Sequence, residues 1–272
     1  MDYSILISPS LGLIVGLLMG LTGAGGGILS VPLLVFALHM QMVDASPISL
    51  SAIALAAGVG ALLSLKNNVL RYKAAIFMAI FGVALAPLGF WIASRIPNAP
   101  LLLLFSSALF YSAVNQYMQA RRISLGIPEA PRKPPPCLIN TDHGKISWNT
   151  SCAKALGLTG ATAGLLSGLL GVGGGFVIIP ALKRFTNLSA QSIIATSLGM
   201  QAIISGGSVL YSSVTGKFNF IVAAPFSLGA LGGLLIGLAV SKKISGPKLQ
   251  QVFAVMVFGV ALSLAIKGVH GL

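Results

Sequence analysis

Residues 3–43 contain no Asp, Glu, Lys or Arg, and seven more charge-free stretches follow at 45–65, 74–94, 96–120, 155–182, 185–216, 218–241 and 249–266. Together they hold 210 of the 272 residues, and the shortest is 18 long. A helix needs roughly 17–25 apolar residues to cross a bilayer core, so every stretch is long enough to be embedded in one. Composition agrees: the chain is 56% hydrophobic and 8% charged, with a mean hydropathy of +0.94. An ordinary soluble domain is about 25% charged. This chain therefore lacks the polar surface of a water-soluble enzyme, and its composition also excludes disorder, a collagen-like repeat and a disulfide scaffold. A transmembrane barrel would show roughly ten-residue alternating strands, and nothing here alternates that way. The reading is an all-α polytopic membrane protein with eight membrane-embedded segments, multi-pass in a plasma or bacterial inner membrane. The first apolar run is far longer than a signal-peptide core and has no Lys or Arg before it, so it is expected to stay in the mature protein.

Sliding the sequence by 148 residues lays Gly12–Gly27 over Gly160–Gly175 and Pro32 over Pro180, with 11 of 21 positions identical between 12 and 32. The same offset pairs Ser49-Leu50 with Ser197-Leu198, Gly89 with Gly237, Phe105 with Phe253 and Phe110 with Phe258. The chain is a tandem duplication. Residues 1–119 form the first repeat and 154–272 the second. The joint, 120–153, carries the run Pro134-Pro135-Pro136, six basic residues in and around it, and half of the acids. It reads as a polar linker. Cys137 and Cys152 flank its polar stretch with only His143 between them. No metal-ligand set surrounds them, so two free thiols are expected.

The net charge is +13. The basic residues sit between hydrophobic runs, which fits the bias of positive loops toward the cytoplasm rather than nucleic-acid binding. They also choose between two topologies. If all eight segments cross, the bases divide 11 to 6; if the first segment of each half returns to its own side, they divide 14 to 3. The second split is the better positive-inside pattern. It gives three crossings per half, inverted repeats, both termini outside and a cytoplasmic linker.

Both first segments carry a cluster of glycines. Gly12, Gly16 and Gly20, like Gly160, Gly164 and Gly168, are spaced for close helix packing. Gly23, Gly25, Gly26 and Gly27, matched by Gly171, Gly173, Gly174 and Gly175, are expected to break the helix, since each glycine costs up to about 1 kcal/mol there. Broken backbone at membrane depth requires protein or water around it, and the next half-helix would aim its free N–H groups at the break. Two such breaks meeting near the midplane suit a small oxyanion; a purely structural crossing point is the alternative. Ser49, Thr196, Ser197 and Gln201 can add ligands, and Thr22 and Ser46 lie near the first break in sequence. No buried acid or His pair marks a proton relay, and Asp44 beside His39 reads as a short loop. No catalytic constellation and no cofactor motif is present, so an enzyme is not expected.

The pattern G-x-x-x-G-x-x-G-x-G-G-G-x-x-x-x-P, at Gly16–Pro32 and again at Gly164–Pro180, resembles the TauE/SafE sulfite-exporter family of membrane transporters. Ala195-Thr196-Ser197-Leu198 is similar to the Thr-Ser signature of that family's second half, whereas the first half reads Ile48-Ser49. The resemblance implies a secondary transporter of small sulfur-containing anions: sulfite, sulfonates, sulfoacetate or related carboxylates. An anion channel or facilitator on the same scaffold is the alternative. The partners expected are the anion, the bilayer and, as an open option, a second copy of the chain.

Overall fold

The computed structural model describes residues 2–22, 26–125, 135–138, 148–216, 218–244 and 247–270. They form ten helices: α1 (Asp2–Thr22), α2 (Gly26–Ala37), α3 (Met42–Lys66), α4 (Tyr72–Ala93), α5 (Asn98–Ser124), α6 (Thr150–Leu170), α7 (Gly175–Phe185), α8 (Ala190–Val214), α9 (Phe220–Ile244) and α10 (Pro247–His270). Eight charge-free runs yield ten helices because the first run of each half splits at its glycines. Seven helices are long and apolar enough to cross a membrane. Among the described residues there is no strand, only an isolated parallel bridge between Cys137 and Thr186.

The halves interlock by exchange. Helix α1 packs on α9, and its counterpart α6 packs on α4. In both seams small residues let backbones touch. Gly12 and Gly16 lie against the Phe226 and Ala230 carbonyls, and Gly160, Gly164 and Gly168 against those of Met78, Gly82 and Ala86. A Cβ at any of these positions would overlap backbone atoms. The partner numbers rise together, so both seams are parallel. A second ladder, Gly229, Gly233 and Gly237 of α9, meets the carbonyls of Pro9, Leu13 and Leu17.

The remaining pairs join counterparts. Helix α3 packs on α8, and α5 on α10. The α5–α10 pair is antiparallel. Ser124 bonds Gln251 at one end, Phe110 meets Phe258 in the middle, and Leu103 lies against Gly268 at the other. Outward faces expose Ile80, Leu158, Leu210, Leu228 and Val255, each more than half accessible. In water such faces would drive aggregation; in lipid they are the solvent contact.

The expectation of two free thiols is corrected: Cys137 and Cys152 form a disulfide. Asn149 makes this local, because its Oδ1 caps α6 at the Cys152 N–H (2.6 Å) while its Nδ2 donates to the Pro136 carbonyl (3.1 Å). Cys137 then donates its own N–H to the Phe185 carbonyl at 3.1 Å. The start of α6 and the end of α7 are thereby tied together, and α6–α7 is a hairpin that returns to its own end.

Candidate functional site

The turn of that hairpin needs glycine. Gly171, Gly173 and Gly174 have φ of 72°, 70° and 73°, a left-handed conformation that side chains with a Cβ rarely adopt. Gly171 closes α6 by donating to the Ser167 carbonyl at 2.8 Å. Gly174 caps α7, its carbonyl accepting from Val177 and Ile178. The N–H groups at Gly175 and Phe176, in the first turn of α7, have no helical carbonyl before them.

Side chains converge on the odd glycines. A Cβ built on Gly171 would lie 2.5 Å from Ser46 Oγ; on Gly173, 3.1 Å from Ser205 Oγ and 3.5 Å from Gln201 Oε1; on Gly175, 2.6 Å from Gln201 Nε2. Gln201 and Ser205 are fully buried and Ser46 nearly so. Ser46 Oγ, Ser205 Oγ and both polar atoms of Gln201 have no hydrogen-bond partner, nor has Ser167 Oγ one turn before Gly171. A buried polar group left unpaired costs about 1–3 kcal/mol, and native proteins keep few of them without a use.

The two halves meet here. Ser30 donates to the Gly27 carbonyl at 2.7 Å and Ser49 to the Gly171 carbonyl at 2.7 Å, while the two hydroxyls touch each other. Gly27 also faces the Val172 carbonyl, and Ile53 touches both Gly27 and Gly173. Of the residues read from the sequence, Gly27, Gly171, Gly173, Gly175, Ser49 and Gln201 come together. Gly174 instead lies against Ala163 of α6. Thr196 Oγ1 accepts from the Arg71 N–H at 3.2 Å, and Ser197 Oγ donates to the Ile194 carbonyl at 2.8 Å; both hydroxyls are engaged within or beside α8. Gly26 opens α2, and Gly23 and Gly25 lie outside the described residues. Sequence reasoning missed Ser205, although it follows Gln201 by four residues and so shares its helix face. Ser46, near the first break in sequence, reaches across to the second.

A cavity of about 890 Å³ leads inward from the linker end. Thr22, Ile28, Gly175 and Phe176 line its inner part, while Arg122, Lys183, Arg184, Pro135 and Pro136 line the part near the helix ends. Lys183 Nζ bonds Gln119 Oε1 at 2.8 Å. Among the described residues, three cations and no carboxylate line this cavity. Such a wall raises the local concentration of anions.

Residues 9–264 match the family described as sulfite exporter TauE/SafE. Proteins named probable membrane transporter protein are similar over almost their whole length. One from Xylella fastidiosa is 29% identical over 265 residues, covering 95% of this chain and 94% of the relative. One from Methanocaldococcus jannaschii is 26% identical, covering 92% and 90%. YunE of Bacillus subtilis is 25% identical, covering 98% and 99%. With the family pattern matched from the first glycine ladder to the last helix, this chain belongs to the sulfite exporter TauE/SafE family of membrane transport proteins.

Proposed function

We propose that the chain is a secondary transporter of small sulfur-containing anions such as sulfite, sulfonates or sulfoacetate, which bind between the Gly-rich breaks and cross by alternating access. The observation that carries this reading is the α6–α7 break. Buried, unpartnered Gln201, Ser205 and Ser46 surround it, and a cation-lined cavity reaches Gly175 at its edge. The hydroxyls and amide donate hydrogen bonds to an oxyanion stripped of water, and the first N–H groups of α7 add to them. The cations gather anions at the mouth and leave the break itself uncharged.

The layout we infer is eight membrane-embedded segments in two inverted repeats, in a plasma or bacterial inner membrane. The first segment of each half re-enters; the basic residues favour a cytoplasmic linker, whereas the Cys137–Cys152 bridge favours an oxidising side. Antiparallel pairing of the counterpart helices α5 and α10 supports the inversion, and the tie between the two ends of the α6–α7 hairpin supports re-entry. Alternating access is favoured over an open channel because Gln201, Ser205 and Ser46 are closed off from solvent.

Uptake of labelled sulfite into proteoliposomes, with a sulfonate and sulfate as competitors, tests the proposal. Saturable uptake inhibited by the sulfonate, with counterflow, is the expected result. Non-saturating flux would make the protein a channel or facilitator, and no uptake by folded protein would remove the substrate class.

A further inference from the structure

We propose that the two breaks are not equivalent and that a single oxyanion is held at the second break alone. Gln201, Ser205 and Ser46 are its side-chain ligands, and Ile53 is the apolar wall beside them. The proposal rests on the transport reading above and assigns roles within that site.

Positions 148 apart differ in polarity at this crossing. Gln201 corresponds to Ile53, Ser205 to Ala57 and Ser167 to Met19. Each of these second-half polar groups thus has an apolar counterpart in the first half. The geometry of the counterparts is shared. A Cβ on Gly175 would lie 2.6 Å from Gln201 Nε2, and one on Gly27 would lie 3.0 Å from Ile53 Cδ1. The same place in the fold therefore holds an amide in one half and a hydrocarbon in the other. Ile53 also crosses over, its Cγ2 2.9 Å from a Cβ built on Gly173, so it meets the second break at the same glycine as Ser205 and Gln201.

The hydroxyls confirm the asymmetry from another direction. Two of the first-half hydroxyls at the crossing, Ser30 and Ser49, are occupied with the Gly27 and Gly171 carbonyls. Ser46, Gln201 and Ser205 are not occupied. Free donors therefore approach the Gly171–Gly175 turn from two helices, α3 and α8, on top of the N–H groups that open α7. Donors converging from separate elements suit a group with several acceptor oxygens. All are neutral, so the hydrogen bonds become charge-assisted only when an anion enters. Until then the buried groups are a liability to the fold.

That liability makes the proposal testable with a readout that a structural role would not produce. Gln201→Ile (which installs the first-half residue), Ser205→Ala and Ser46→Ala are compared with wild type for sulfite uptake in proteoliposomes and for melting temperature in detergent. Gln201→Ile is expected to lower uptake efficiency roughly 100-fold, and each Ser→Ala to raise KM roughly 10-fold, in line with hydrogen bonds to a charged group. Melting temperatures should hold or rise, the stability–function trade expected of a ligand site. Wild-type KM in Gln201→Ile and Ser205→Ala would overturn the assignment. So would unchanged anion KM with an altered sodium dependence, which would make these oxygens cation ligands. Folded wild-type protein that neither binds nor moves any of the anions would overturn the transport reading and this assignment together.

Discussion

Phe110 stacks on Phe258, its own counterpart 148 residues later, with ring centroids 5.1 Å apart. A residue that meets its repeat partner in an antiparallel pair is what an approximate two-fold axis between the halves, at right angles to the helices, would give. The exchange of α1 onto α9 and α6 onto α4 is the reciprocal packing expected of such an axis. Consequently the α2–α3 and α7–α8 connections fall at opposite ends: Met42 N–H bonds Asn98 Oδ1 at the start of α5, whereas Lys183 bonds Gln119 near its end. Cysteines placed at Asp44 and Asn187 should therefore react with an impermeant maleimide from opposite sides of the membrane. Labelling of both from one side would exclude the inverted layout.

Gly164 lies against the backbone of Gly82 with no room for a side chain, whereas a Cβ on Gly206 of α8 would meet no atom within 4 Å. Gly164→Val should cost at least about 3 kcal/mol, the upper end for overpacking, and prevent accumulation of folded protein. Gly206→Ala should be neutral or gain up to about 1 kcal/mol from helix propensity. Size-exclusion profiles and thermal melts of the two variants check the contrast.

Arg122, Lys183 and Arg184 line the cavity but do not reach the glycine turn. On the proposed reading their role is to concentrate anions, not to hold them. Changing all three to Gln should raise KM roughly tenfold at low ionic strength with little change in the maximal rate. The difference should shrink at 1 M salt, where the Debye length is about 3 Å. Transport kinetics across a salt series would show it.

The Cys137–Cys152 bridge closes a short loop, with a sequence separation of 15. Both sulfurs are held in the bridge, so neither should take up a maleimide before reduction, as intact mass would reveal. Replacing both by Ser should lower stability by about 3 kcal/mol, the chain-entropy value for a loop of this length. A thermal melt of the double variant measures that loss.

The fold was largely legible before any coordinates. Charge-free runs of bilayer length became helices, and the glycine cluster repeated at Gly23–Gly27 and Gly171–Gly175 marked where the first run of each half divides. The disulfide escaped because it depends on Asn149 capping α6 and on Phe185, 48 residues past Cys137, receiving the Cys137 N–H. Within the site, Gln201 was readable as a polar residue in an apolar segment. Thr196 and Ser197 looked equally suitable, but helix α8 turns Thr196 toward Arg71 and leaves Ser197 bonded to its own preceding turn. Ser46 was read as a neighbour of the first break; that it reaches the second was out of reach of any local argument, since Gly171 is 125 residues away.

On the proposed reading the Gly171–Gly175 turn holds the solute. Equilibrium binding of a labelled sulfonate to purified protein, wild type against Gly173→Ala, tests it most directly. Gly173 has φ of 70°, and an added Cβ would sit 2.9 Å from Ile53 Cγ2 and 3.1 Å from Ser205 Oγ. The substitution should cost about 1–3 kcal/mol of stability in a protein that still folds. The account predicts one saturable site per chain in wild type, displaced by sulfite, and at least a tenfold loss of affinity in Gly173→Ala. Equal affinity in the two proteins would contradict it.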